Sequence, residues 1–132
     1  MARILVVDDS MLIRQIVKKA LKTEGHEVIE ASDGVEALEK AVAEKPECIF
    51  LDILMPEMDG FGVLEKLKEK GLSIPVIVLS ADIQETTKTK CFELGVADFL
   101  NKVPKEDEML GALQKVLSSN KNEELCSPQT NR

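Results

Sequence analysis

The sequence predicts an α/β domain, a five-stranded parallel sheet with helices on both faces. Three observations carry this. Apolar periodicity switches between short continuous runs and helical spacing five times along the chain. Five such strand–helix repeats imply a parallel sheet covered on both sides. The length, 132 residues, suits one domain with a real hydrophobic core.

The elements follow in order. Arg3 to Val7 is a short apolar run, the first strand. Leu12, Ile13, Ile16, Val17, Ala20 and Leu21 recur at helical spacing, and Gly25 supplies the stop. Glu27 to Ala31 reads as a second, thinner strand. Ala37, Leu38, Ala41 and Val42 mark the second helix, ended by Lys45-Pro46. Cys48 to Leu51 is a continuous buried strand that runs straight into Asp52. Leu54 to Gly60 is loop, with Asp59 placed to cap a helix carrying Val63, Leu64 and Leu67, which Gly71 ends. Pro75 introduces the strand Val76 to Leu79, followed by Ser80. Residues 84–94 form a polar, weakly patterned helix. Val96 to Leu100 is the fifth strand, and Met109, Leu110, Leu113, Val116 and Leu117 stripe the last helix. Residues 1–119 are expected to form the domain, and 120–132 a polar, disordered tail.

Composition narrows the function classes. A net charge of −7 opposes direct binding to nucleic acid or to an anionic membrane surface. With no Trp and no Tyr, stacking platforms for bases are missing too. No apolar run is long enough to span a bilayer, and the two early carboxylates argue against a signal peptide, so a cytoplasmic location is expected. Cys48, Cys91 and Cys126 are far apart with no Cys-x-x-Cys pair, which fits a reducing compartment rather than disulfides or zinc.

In open α/β sheets, ligands bind at the carboxyl ends of strands, next to a switch point in strand order. The residues at those ends are Asp8 and Asp9, Asp52, Ser80 and Lys102. Singly, each has a plain reading: Asp9 or Ser10 caps the first helix, Ser80 is a polar strand end, and Lys102 is a solvated lysine. Together they form a site. Two carboxylate charges about 4 Å apart repel by roughly 4 kcal/mol at an effective dielectric near 20. A divalent cation removes that cost, and an all-oxygen site suits Mg²⁺. The natural chemistry is then phosphoryl transfer to a carboxylate, with a lysine and a hydroxyl on the transferred group's oxygens.

The segments Val6-Val-Asp-Asp-Ser10, Leu51-Asp-Ile-Leu-Met-Pro-Glu-Met-Asp-Gly60, Val78-Leu-Ser-Ala81 and Asp98-Phe-Leu-Asn-Lys102 resemble the receiver domains of two-component response regulators. The resemblance runs from the first strand to the last helix. It implies the flavodoxin-like strand order 2-1-3-4-5. It implies that Asp52 is the phosphoacceptor, and that Asp8, Asp9, Asp52 and the backbone carbonyl of Leu54 hold Mg²⁺. Ser80 and Lys102 would bind the phosphoryl group, and Ser80 with Phe99 would form the switch. The resemblance implies a stand-alone, chemotaxis-type regulator, phosphorylated by a histidine kinase or phosphotransfer protein. The face made by the fourth helix, fifth strand and fifth helix would then control a downstream protein. The chain would be no turnover enzyme beyond its own phosphorylation and dephosphorylation, and a monomer or weak phosphorylation-dependent dimer. A shuttle or phosphate sink is equally compatible.

One position departs from the family pattern. Val103, not proline, follows Lys102, and Pro104 comes next. A cis bond before a non-proline residue costs roughly 3 kcal/mol, so a trans bond is expected, with Pro104 opening the last helix. Two other classes use similar parts. A haloacid-dehalogenase-type phosphatase would place its nucleophile on the first strand in an Asp-x-Asp pattern, whereas this strand ends Asp8-Asp9-Ser10. A flavodoxin-like carrier would need a phosphate-cradling loop and flanking aromatic residues, which no strand end offers.

Overall fold

The short apolar runs become five strands: β1 (Arg3–Val7), β2 (Glu27–Ala31), β3 (Cys48–Asp52), β4 (Val76–Ser80) and β5 (Asp98–Asn101). The computed structural model describes residues 2–55 and 58–126, with side chains as far as Ser118. The helices between and after the strands are α1 (Met11–Thr23), α2 (Gly34–Glu44), α3 (Gly60–Glu69), α4 (Glu85–Glu93) and α5 (Glu106–Cys126). All strands are parallel, in the order β2-β1-β3-β4-β5. That is the flavodoxin-like order that the resemblance implied.

Alternation along the strands divides the core into two layers. Leu5, Val7, Ile49, Leu51, Val76 and Val78 pack against α2, α3 and α4. Ile4, Val6, Cys48, Phe50, Ile77 and Leu79 pack against α1 and α5. The three inner strands are thus apolar on both faces, which is why β3 and β4 read as unbroken apolar runs. Two residues of the expected helical stripes stay out of the core: Leu12 and Val42 are exposed.

Local chemistry sets the helix ends. Ser10 caps α1, its Oγ accepting from the Ile13 N–H at 3.3 Å, and Asp59 caps α3 by accepting from Gly62 at 3.0 Å. Gly25, at φ 86°, takes the left-handed position after α1, where its N–H donates to the Lys22 carbonyl.

Three expectations need correction. The Lys102–Val103 peptide is cis, not trans. Lys102 is fixed at both ends: its N–H donates to the Ser80 carbonyl and its Nζ reaches two carboxylates, so tertiary contacts override the local preference. Pro104 does not open the last helix, which begins at Glu106, with the Lys105 carbonyl accepting the first helical bond. Nor does order end near residue 119: α5 continues to Cys126. No glycine or proline lies between Gly111 and Pro128 to stop it. The rest of the expected tail, 127–132, and the loop residues 56–57 lie outside the described residues.

Gly60 fixes where α3 starts relative to the sheet. Its N–H donates to the Ile53 carbonyl at 2.8 Å, and a Cβ there would lie 2.7 Å from the Asp52 carbonyl oxygen and from Ile53 Cα. Gly60→Ala should therefore destabilise the protein by about 1–3 kcal/mol from overpacking, although alanine is the better helix former. Chemical denaturation checks this; an unchanged midpoint would show that the loop below Asp52 yields freely.

Candidate functional site

The chain runs outward from β1 to β2 on one side and returns to β3 on the other, so the switch point lies between the carboxyl ends of β1 and β3. Asp8 follows β1 and Asp52 ends β3, and both are almost wholly buried (0% and 1% exposed), as is Ser80 at the end of β4. Asp9 beside them is exposed, and Ser10 takes the capping role, which leaves the Asp9 carboxylate free of α1.

The structure brings the expected residues together. Carboxylate oxygens of Asp8, Asp9 and Asp52 lie within 4.8 Å of one another. Lys102 Nζ sits 2.9 Å from Asp8 Oδ2 and 3.1 Å from Asp52 Oδ2. The other oxygens are held by backbone: Ser10 N–H donates to Asp8 Oδ1 at 2.9 Å, and Leu54 N–H donates to Asp52 Oδ1 at 3.2 Å. Ser80 Oγ accepts from the Asp82 N–H at 3.0 Å, and Lys102 N–H donates to the Ser80 carbonyl. Phe99 pairs across from Val78 in the sheet, half-buried, with Lys88 Nζ 5.7 Å from its ring centroid.

Electrostatics in the pocket are unbalanced. Three carboxylates face one ammonium. Burial, and next the charge of Asp8, push the Asp52 carboxyl up to about 6, against the opposing pull of Lys102. Burial alone would lower the Lys102 ammonium, but its bonds to Asp8 and Asp52 outweigh this and raise it. Asp8 Oδ2 and Asp52 Oδ2 are buried without a well-aligned hydrogen-bond donor; the ammonium meets them by charge and distance only.

Two under-satisfied carboxylate oxygens and a third, exposed carboxylate beside them form a hard oxygen set suited to Mg²⁺. Asp8, Asp9 and Asp52 would hold the ion. Leu54, whose backbone carbonyl the resemblance assigns to the metal, is tied to the site by its N–H, which donates to Asp52 Oδ1.

Two sets of contacts escaped the sequence reading. Asp82 holds the β4–α4 loop: its Oδ1 accepts from the Gln84 N–H at 3.1 Å and its Oδ2 from Thr87 Oγ1 at 2.7 Å. The Thr87 bond, then the Gln84 bond, hold its carboxyl below the usual range. Beneath the Asp8 loop, Arg14 reaches both the Asp8 carbonyl and Glu30. The only sequence signals were an acid two residues beyond Ser80 and a charged residue on each of α1 and β2. Elsewhere, Cys48 and Cys91 are buried free thiols, and burial pushes Cys48 up to about 12, which leaves it inert. Among the described residues, no helix is long and apolar enough to cross a membrane.

Comparison with known proteins agrees with this geometry. The sequence profile of the response regulator receiver domain matches residues 4–114. The alkaline phosphatase synthesis transcriptional regulatory protein PhoP of Bacillus subtilis is 36% identical over 128 residues, 97% of this chain and 52% of the relative. Response regulator MprA of Mycobacterium bovis is 32% identical over 130 residues, 98% of this chain and 56% of the relative. The chain thus spans about half the length of these curated relatives. Among solved structures, the chemotaxis protein CheY4 of Vibrio cholerae superposes with a TM-score of 0.83 at 34% identity, covering 88% of this chain and 98% of that one. The Francisella response regulator 1452 receiver domain gives 0.86 at 29% identity, covering 91% and 99%.

Proposed function

This chain belongs to the response regulator receiver domain family, and on that premise we propose that it is a phosphorylation-controlled binding module whose phosphoacceptor is Asp52. The observation that carries the reading is the buried Asp52 carboxylate, set against Asp8 and Asp9 and contacted by Lys102. A carboxylate oxygen attacks phosphorus, an O–P bond forms as the donor's N–P bond breaks, and the donor imidazole keeps the electron pair. Mg²⁺, when bound, neutralises charge on the phosphoryl oxygens. Lys102 exchanges its contacts with Asp52 for a phosphoryl oxygen, and the Ser80 hydroxyl donates to another. The protein turns over no other substrate.

A histidine kinase or phosphotransfer protein is the donor. Support comes from the segments that follow the site residues in sequence, where Met11, Leu12, Leu54, Ile83 and Val103 are each more than half exposed. Exposed apolar residues on the loops that carry a charged centre suit a protein surface better than a free metabolite. The response leaves through α4, β5 and α5. Cys91 is the only fully buried residue of α4, so this helix is weakly anchored. When Ser80 turns to the phosphoryl group it releases Asp82, and Phe99 moves inward into the space left behind. A downstream protein reads the altered face.

The test uses the protein with a small-molecule donor. Acetyl phosphate and Mg²⁺ should add one phosphoryl group, seen by intact mass, and excess chelator should prevent it. A modified chelated sample, or no modification with Mg²⁺ present, would overturn the reading.

The lifetime of the phosphoryl group follows from the two positions flanking the pocket. Leu54 is exposed and offers water no hydrogen bond, while the carboxylate of Asp82 is engaged by Gln84 and Thr87. Neither residue is free to orient an attacking water. Leu54→Asn should shorten the phosphoryl half-life severalfold, followed as loss of the mass increment after the donor is removed. An equal half-life would dismiss the idea.

A further inference from the structure

Asp8 stands one residue past the last paired rung of β1 with β2, so its carbonyl must be held by something other than the ladder. Its N–H donates to the Ala31 carbonyl at 3.1 Å. Its carbonyl accepts from Arg14 Nη1 at 2.6 Å, which reaches back from the first turn of α1. Arg14 is itself fixed: its Nε donates to Glu30 Oε1 at 3.0 Å, and the second oxygen of Glu30 meets Lys18 Nζ at 2.9 Å. The Arg14 side chain is only 13% exposed, against 31% for Lys18. Lys18 and burial act oppositely on Glu30, and with the help of Arg14 the carboxyl is held below its usual range. One guanidinium therefore ties the loop carrying Asp8 and Asp9 to β2, using its fork to satisfy two acceptors at once.

We infer that Arg14 is a positioning residue for the metal-binding carboxylates, acting through the Asp8 carbonyl, with Glu30 as its anchor. This inference rests on the proposed function and adds to it a residue that touches neither the metal nor the phosphoryl group. Lys102, the other cationic contact of Asp8, cannot take this role, because the proposed chemistry requires it to move toward the phosphoryl group. Arg14 and Glu30 lie outside that exchange and stay in place throughout it.

Geometry and electrostatics predict opposite signs here. Arg14 is a permanent cation close to where a divalent ion would bind, so charge alone says that removing it tightens metal binding. If Arg14 positions the loop, removing it loosens the carboxylates and weakens binding. Partners that orient metal ligands commonly cost about tenfold or more in affinity when lost.

The experiment titrates Mg²⁺ into the full chain by calorimetry, without a phosphodonor. Arg14→Met should weaken affinity by about tenfold, and Arg14→Lys, which can reach one acceptor but not both, should fall between Met and wild type. Arg14→Met/Glu30→Gln should be no worse than the weaker of the two single variants, as expected for residues acting through one contact. Saturating Mg²⁺ should restore the acetyl phosphate reaction rate of Arg14→Met, because the defect lies in binding. Should Arg14→Met fold poorly, Arg14→Lys and Glu30→Gln carry the comparison. Wild-type-like or tighter Mg²⁺ binding by the Arg14 variants overturns the inference while leaving Asp52 as phosphoacceptor untouched. A wild-type protein that neither binds Mg²⁺ nor accepts phosphate overturns both.

Discussion

Asp52→Asn is expected to abolish phosphorylation and, at the same time, to raise the melting temperature of the metal-free protein at neutral pH. The loss is complete because the amide offers no nucleophilic carboxylate. The gain follows from linkage. In the folded protein the Asp52 carboxyl is raised to about 6, above the ordinary carboxylate value of 3.8, by burial and by Asp8. Between those two values the native state holds a proton that the unfolded chain has lost. Stability therefore falls as pH rises through that window and stays lower above it. Asparagine cannot ionise, so the variant escapes the loss, which amounts to about 1–3 kcal/mol at pH 7. Thermal denaturation across pH 3.5 to 8 checks the sign: the curves should converge at the acid end, separate as pH rises from 3.8 to about 6, and stay apart by a constant amount above that. Mg²⁺ should narrow the gap, since it binds the native wild-type site and stabilises it by mass action. A variant less stable than wild type at pH 8 without metal would mean that the pocket is not short of positive charge.

The fold was legible because a parallel sheet buried on both faces writes itself as separate apolar runs. Cys48–Leu51 and Val76–Leu79 needed no further information. The site was legible for a related reason. Polar groups at strand ends stand out against such runs, and topology forces strand ends to share one edge. What stayed hidden depends on side chains meeting across sequence. Leu12 and Val42 fit a helical stripe yet point away from the core. The Lys102–Val103 bond took its isomer from contacts of Lys102 with Ser80, Asp8 and Asp52, none of them local. Arg14 looked like any polar position of an amphipathic helix, because an arginine that binds a carbonyl eight residues into the chain leaves no periodic signal. The end of α5 was misplaced because polarity alone does not stop a helix.

Lys102→Met should be the most damaging single change to stability at neutral pH, and its pattern separates two roles of the lysine. In the wild type one ammonium stands between Asp8 Oδ2 and Asp52 Oδ2, at 2.9 and 3.1 Å. Methionine keeps much of the stem's volume and removes the charge. Two buried carboxylates then face each other with only backbone N–H groups on their outer oxygens. Breaking a buried pair this way costs about 3–5 kcal/mol, a large fraction of what holds a domain of this size together. Acid should rescue the variant. Lys102 is one of the groups that lower the Asp52 value, so its removal carries that carboxyl higher still. The penalty is then present above the raised value and relieved as Asp52 takes up a proton on acidification. Mg²⁺ should also restore the melting temperature, because it would supply positive charge to the same cluster of carboxylates. It should not restore the phosphorylation rate, because the proposed chemistry needs the Lys102 ammonium on a phosphoryl oxygen. Melting curves at pH 5 and 8, with and without Mg²⁺, together with the acetyl phosphate rate, distinguish the two roles. Full recovery of both by Mg²⁺ would reduce Lys102 to a counter-charge, and no loss at pH 8 would deny it even that.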